Sequence, residues 1–75
     1  MTPTITFIAR LVHRQTGVTC NGTFISPLDP ADALIRANEQ FGSTHHVRTV
    51  YPEDHRWRIG WHEKLAAAMM TPEGR

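Results

Sequence analysis

The chain has 75 residues, of which 40% are apolar and 20% are charged, and its formal net charge is +1. This length allows one domain, and a domain this short buries only about 60% of the surface of its unfolded chain. The near-neutral charge and the ordinary apolar content argue against a disordered chain and a dedicated polyanion binder. We therefore expect one small globular domain spanning residues 1–75.

The expected compartment follows from the cysteine content and from the length of the apolar runs. Cys20 is the only cysteine, so no internal disulfide can form, and a reducing compartment is favoured. No apolar run approaches the roughly 20 residues of a membrane-spanning helix. The first residues lack the basic start and apolar stretch of a signal peptide. We expect a cytoplasmic protein that makes no membrane contact.

Residues 4–14 and 18–26 are both predicted to be strands, joined by a turn at residues 15–17. In the first strand, alternate apolar residues fall on one face: Ile5, Phe7, Ala9 and Leu11. This period of two is that of a β-strand with one buried face. Gly17 suits the turn because glycine accepts a positive φ. The pattern indicates two consecutive strands of an antiparallel sheet.

The Asn21-Gly22 pair allows two interpretations of the second strand. Asn-Gly is a strong signal for a two-residue hairpin turn, which would divide residues 18–26 into two very short strands. The pair is also compatible with a bulge or bend at Gly22 within one longer strand. We favour the bulge because strands of three residues are unusually short.

Residues 30–41 carry a complete set of helix signals. Asp29 is a good N-cap, Pro30 suits the first helical position, and Gly42 is a typical C-terminal stop. The face predicted to contact the sheet comprises Ala31, Leu34, Ile35, Asn38 and Phe41. We expect this helix to pack across the sheet.

Residues 46–51 and 56–61 are predicted to form two further strands, separated by a turn at residues 52–54. Three apolar residues of the last strand are expected in the core: Trp57, Ile59 and Trp61. Residues 62–70 favour a short helix, and residues 71–75 are expected to fray. The predicted fold is α+β, an antiparallel sheet of about four strands with one helix across it, in the order β-β-α-β-β with a possible final helix.

Candidate catalytic and metal-binding residues are present, but they do not form a known arrangement. The five histidines are His13, His45, His46, His55 and His62. Their spacing is not that of a zinc site, and surface positions explain them better. Cys20 is expected to be a buried structural thiol, and Glu53-Asp54 to be a solvated turn. We predict no enzyme activity, no cofactor and no metal.

The segment from Arg56 to Lys64 is the part of the chain most typical of a binding surface. Alternation places Arg56 and Arg58 on one side of the predicted last strand, and Arg48 on the preceding strand would join them in a basic patch. Arginine and tryptophan are enriched in interface hot spots. Because the pI is only about 8.1, a protein partner is favoured and nucleic acid is the second possibility.

Residues 24–37 (FISPLDPADALIRA) and 47–51 (VRTVY) resemble the strand, helix and strand of small phage-encoded proteins that take over host machinery. Two such groups share this plan: anti-CRISPR proteins directed at type I surveillance complexes, and inhibitors of bacterial RNA polymerase. The resemblance implies a stoichiometric inhibitor in the cytoplasm of a bacterial host, which occludes a protein or ribonucleoprotein complex. The anti-CRISPR function is favoured because such proteins share this length and a low cysteine content.

The predicted partner-binding residues are Arg48, Arg56, Arg58, Lys64, His45 and His46. Other possibilities stay open, among them a small nucleic-acid-binding or regulatory module. The chain is expected to be a monomer or a homodimer, the latter formed through an exposed strand edge at residues 47–51 or 56–61.

Overall fold

Three antiparallel strands and two helices form the fold in the computed structural model, which describes residues 3–70. The elements in chain order are β1 (Thr4–His13), β2 (Thr19–Pro27), α1 (Pro30–Phe41), β3 (His45–Pro52), a 3₁₀ helix (His55–Trp57) and α2 (Trp61–Met70). The strand order is β2-β1-β3, and β1 pairs antiparallel with both neighbours. The α+β class with an antiparallel sheet is therefore confirmed, and α1 connects the two outer strands.

The bounds of α1 agree with the prediction because its ends are set by local contacts. The Asp29 side chain accepts a hydrogen bond from the Ala31 N–H at 3.3 Å, and Gly42 N–H donates to the Asn38 carbonyl at 2.8 Å. The predicted contact face is only partly correct, because Ile35 is 55% exposed. Ala33 and Ala37 are fully buried instead, since their small side chains let the helix lie close to the sheet.

The core lies between the sheet and the two helices. Its buried apolar residues are Phe7, Ala9, Leu11, Phe24, Ala33, Ala37, Val50, Trp61 and Leu65. The Phe7 ring contacts two other aromatic rings, with centroids 5.5 Å from Phe24 and 5.3 Å from Trp61. Such ring pairs stabilise a core beyond the area that they bury. The inward face predicted for the first strand is confirmed by the burial of its central residues.

β2 is one continuous strand, and its register with β1 runs without a break through Gly22, which lies opposite Ala9. Neither a hairpin nor a bulge occurs at this glycine, so the predicted bulge is wrong. A Cβ atom at Gly22 would lie 2.7 Å from Cζ of Phe41, which is shorter than real contacts. The Phe41 ring lies directly against the strand at this glycine, so a larger residue would have to displace the ring.

The fourth strand predicted at residues 56–61 is not present in the structure. The 3₁₀ helix takes its first part, and α2 begins at Trp61 after Gly60, which has a φ of +73°. Trp57 and Ile59 are exposed rather than buried, at 42% and 87%. The predicted C-terminal helix is present, whereas residues 71–75, predicted to fray, lie outside the described residues.

Side chains close the outer edge of β3 near its end. The Val50 carbonyl accepts a hydrogen bond from Trp61 Nε1, and the Pro52 carbonyl accepts one from Arg58 Nε, both at 2.8 Å. Pro52 also lacks an N–H group, so this part of the edge offers little to an incoming strand. Pairing of two copies along residues 50–52 is therefore disfavoured, and residues 56–61 form no strand edge, whereas pairing along residues 47–49 stays a prediction.

Candidate binding surface

One face of the sheet is covered by the helices, and the opposite face, here called the open face, is not. On β1, every second residue points away from the core, including Thr6, Ile8, Arg10 and Val12. The residues that share this face on the outer strands are Thr19, Asn21, Thr23 and Ile25 of β2 and His46, Thr49 and Tyr51 of β3. An uncovered sheet face of this kind is available for binding.

The charges of the chain are unevenly distributed between the strands and the rest of the fold. None of the three strands contains an aspartate or a glutamate, whereas Arg10 and Arg48 lie on β1 and β3. The carboxylates of the described residues belong to α1 and its cap, to the turn after β3, and to α2: Asp29, Asp32, Glu39, Glu53, Asp54 and Glu63. A net charge of +1 therefore coexists with a basic sheet.

Two adjoining depressions form a groove across the open face. The first, of about 550 Å³, is lined by residues that include Arg10, Arg48, Thr19, Asn21 and Thr49. The second, of about 300 Å³, is lined by Arg10, Thr49, Tyr51, Arg58, Trp61 and His62. Both are lined by Arg10 and Thr49, so they lie side by side. We call this depression, with Arg48, Arg10 and Arg58 along it, the arginine groove.

A bulge in β3 brings Arg48 to the groove. The pairing of β1 with β3 shifts between Arg10, which faces Thr49, and Leu11, which faces Val47. Arg48 is thus the additional residue between two paired positions, and it is exposed. Bulges redirect side chains in this way and are common beside functional sites. The alternation of side chains along the sequence of the strand does not predict that a bulge places Arg48 at the groove.

Arg58 is held in position by four contacts, one of which joins its Nη1 to Nδ1 of His55 at 3.4 Å. Its Nε donates to the Pro52 carbonyl at 2.8 Å, its Nη2 donates to the Glu53 carbonyl at 3.1 Å, and its guanidinium lies 4.9 Å from the Tyr51 ring centroid. The guanidinium groups of Arg10 and Arg48, in contrast, form no hydrogen bond or ion pair with the residues that the structure describes. Two of the three arginines in the groove therefore keep all their donors for a ligand.

Arg56 lies outside the groove, in the 3₁₀ helix. Its Nη2 contacts the Asp54 carboxylate at 2.8 Å, and its side chain is 80% exposed. Hydrogen bonds from the Arg56 side chain and from its backbone N–H lower the pKa of Asp54 to about 2, and the same pair raises the pKa of Arg56. The predicted single face bearing both Arg56 and Arg58 does not exist, because these residues are not on a strand.

The lowered pKa of Asp54 predicts a specific acid response. A group with a depressed pKa in the folded state stabilises the fold above its ordinary pKa of 3.8, and this contribution is lost as the pH falls through about 2. We expect an NMR titration of the Asp54 carboxyl carbon to show a midpoint near 2 in the protein. In Arg56→Ala the midpoint should rise towards 3.8. A wild-type midpoint already at 3.8 would contradict the contact.

The other predicted contact residues are dispersed. His45 contacts His13, with ring centroids 5.0 Å apart, and its Nδ1 lies 2.7 Å from Thr44 Oγ1. His46 is exposed on the open face, and Lys64 is exposed on α2. His45 lies seven residues before Pro52 on β3, a separation of about 23 Å at the usual rise of a strand. The six residues therefore do not form one patch, and Arg10 is the groove residue that the sequence did not identify.

Cys20 is exposed, so the predicted buried thiol is wrong. Among residues 3–70, no three side chains of histidine, cysteine, aspartate or glutamate are grouped to hold a metal ion. Within the same range, no helix is long and apolar enough to cross a membrane.

Comparison with known proteins finds no matching family model, no matching curated protein and no matching solved structure.

Proposed function

We propose that the protein is a non-enzymatic inhibitor that covers part of the surface of a bacterial macromolecular complex, and that its target is a type I CRISPR-Cas surveillance complex. The main support is the segment of residues 53–60, which presents Trp57 and Ile59 to solvent beside Arg56. Ile59 is 87% exposed and Trp57 is 42% exposed. Tryptophan and arginine are the residues most enriched in interface hot spots.

The segment has a defined shape before any partner binds. Asp54 accepts hydrogen bonds from the backbone and the side chain of Arg56, and Arg58 binds the carbonyls of the two residues that end β3 and begin the turn. A preorganised contact loses less conformational entropy on binding than a flexible one. The backbone that carries the exposed apolar side chains is thus held by these contacts, which suits recognition of a rigid surface.

The size of the domain is compatible with this mode of action. A standard interface buries about 800 Å² on each partner, and the protein has 5223 Å² of accessible surface. One side of the molecule can therefore supply a complete interface. Of the residues predicted from the sequence, Arg56 and Arg58 belong to the 53–60 segment. The other four predicted residues, Arg48, His45, His46 and Lys64, lie outside this segment and are not part of the proposed interface.

The choice of target is based on the resemblance of residues 24–37 and 47–51 to phage proteins that inhibit host complexes. It is tested by measuring binding of the protein to a purified type I surveillance complex, and by following capture of target DNA in the same mixture. We expect binding together with loss of DNA capture. In Trp57→Ala/Ile59→Ser the affinity should fall by about 30-fold or more, the effect of losing a hot spot of about 2 kcal/mol.

Ile35→Ser is the matched control, because Ile35 is an exposed apolar residue on α1, at 55%. It should leave the affinity within about twofold of the wild type. Equal losses in both variants would overturn the assignment of the segment. Failure to bind type I complexes, with inhibition of transcription by bacterial RNA polymerase in a parallel assay, would overturn the proposed target and favour the second phage group.

A further inference from the structure

We propose that the arginine groove binds the phosphodiester backbone of a single nucleic-acid strand. This site goes beyond the proposed function, because it lies on the sheet and uses Arg10, which the 53–60 segment does not contain. The nucleic-acid strand is identified by its chemistry, which is a chain of phosphates with exposed bases. In a ribonucleoprotein partner, the RNA would supply it.

The groove is positively charged. Arg10, Arg48 and Arg58 line it, and no carboxylate is among its lining residues. Guanidinium groups bind phosphate oxygens in a planar, bidentate manner. Arg10 and Arg48 form no ion pair with any residue in the range 3–70, so a phosphate displaces no internal partner. A modest net charge therefore does not preclude a local anion site.

Polar side chains lie beside two of the arginines in the groove. Thr19, Asn21 and Thr49 line the same part of the groove as Arg10 and Arg48. Hydroxyl and amide groups donate hydrogen bonds to phosphate and sugar oxygens in nucleic-acid complexes. These polar side chains and the unpaired arginines together suit a nucleic-acid ligand, whose sugar-phosphate backbone is polar and charged. An apolar helix or peptide would leave these donors without partners.

The remaining part of the groove offers a surface for bases. The Arg58 guanidinium lies over the Tyr51 ring at 4.9 Å, and both residues line the second depression. Proteins that bind single strands combine a basic groove with aromatic rings or guanidinium planes on which bases stack. Three strands span only about 10 Å between the outer two. The sheet surface is therefore wide enough for one nucleic-acid strand and its bases.

The experiment measures fluorescence anisotropy of a labelled uridine oligonucleotide of about 12 residues while the protein is titrated at several salt concentrations. We expect a dissociation constant in the micromolar range that depends on salt. Two phosphate contacts, from Arg10 and Arg48, give a slope of log K against log salt near about −1.4, which weakens binding about sevenfold between about 50 and 200 mM salt. In Arg10→Ala/Arg48→Ala the slope should fall to near zero, and the same change in salt should leave binding almost unchanged.

Two further variants separate the groove from general charge and from folding. Arg36→Ala/Lys64→Ala removes the same charge from exposed helix positions and should keep the wild-type slope. Arg10→Lys/Arg48→Lys keeps both charges and should also retain the slope. Equal slopes in all variants, or an equal loss in the helix control, would overturn the site. Tighter binding of a duplex than of the single strand would overturn the single-strand assignment.

The two proposals fail independently. The oligonucleotide assay contains no protein partner, and the target assay uses Trp57 and Ile59 variants whose groove is intact. Salt-dependent binding of RNA without affinity for a type I complex would confirm the groove and overturn the proposed target. Binding of the complex by Arg10→Ala/Arg48→Ala at wild-type affinity, together with no binding of RNA by the wild type, would overturn the groove alone.

Discussion

Replacing Trp61 by alanine is expected to lower the free energy of unfolding by about 3–5 kcal/mol. Trp61 is 2% exposed, its ring lies 5.3 Å from that of Phe7, and its Nε1 donates to the Val50 carbonyl. Leu65, one turn later in α2, is buried on the same side. Because the free energy of unfolding of a domain is only about 5–15 kcal/mol, this loss removes a large share of its stability. Urea denaturation followed by circular dichroism measures it.

Trp57 provides the matched control, because it is the other tryptophan of the chain and is 42% exposed. Trp57→Ala should change the unfolding free energy by less than about 1 kcal/mol. Trp61→Phe keeps an aromatic ring but leaves the Val50 carbonyl without its donor, and we expect a loss of about 1–3 kcal/mol. Similar losses for the two alanine variants would contradict the different burial of the tryptophans.

Gly22→Ala is expected to destabilise the protein by about 1–3 kcal/mol through overpacking. The new Cβ would lie 2.7 Å from Cζ of Phe41 and 3.3 Å from Cδ1 of Leu11. Alanine is otherwise favoured over glycine in a strand by about 0.5–1 kcal/mol, so the steric cost must exceed this gain. The measurement is again urea denaturation, with the slope checked to confirm an unchanged unfolding reaction.

A double-mutant cycle with Phe41→Leu tests the cause. Phe41 packs near Phe24, with ring centroids 6.4 Å apart, so its own replacement has a cost. In the Phe41→Leu background the ring that meets the new methyl group is absent. Gly22→Ala should then be close to neutral, which gives a coupling energy of about 1 kcal/mol or more. The same cost in both backgrounds would show that Phe41 is not the reason for the glycine.

The elements that the sequence predicted correctly are those whose signals lie within a few residues of each other. The N-cap Asp29, Pro30 at the first position and Gly42 at the end define α1 by contacts that span no more than one turn. Alternation along β1 likewise identified its buried face, since Phe7, Ala9 and Leu11 lie in the core. Local hydrogen bonding and strand geometry are sufficient for such predictions.

The predicted fourth strand shows where local pattern is insufficient. Residues 56–61 alternate as a strand does, but the Asp54 cap and the positive φ of Gly60 favour a 3₁₀ helix and a turn. The decisive contact is between distant parts of the chain, because Trp61 reaches the Val50 carbonyl and the Phe7 ring. Only one of the two tryptophans can occupy that position, and periodicity alone does not distinguish them.

The sequence alone thus determined the α+β class, the helix α1 and the inner face of β1, because these depend on composition and on neighbouring residues. Only the tertiary structure decided the groove. Arg10 and Arg48 meet there because β1 pairs with β3 in a register that contains a bulge, and strand pairing is a non-local interaction. Both helices pack on the opposite face of the sheet, so the face that carries these two arginines stays uncovered.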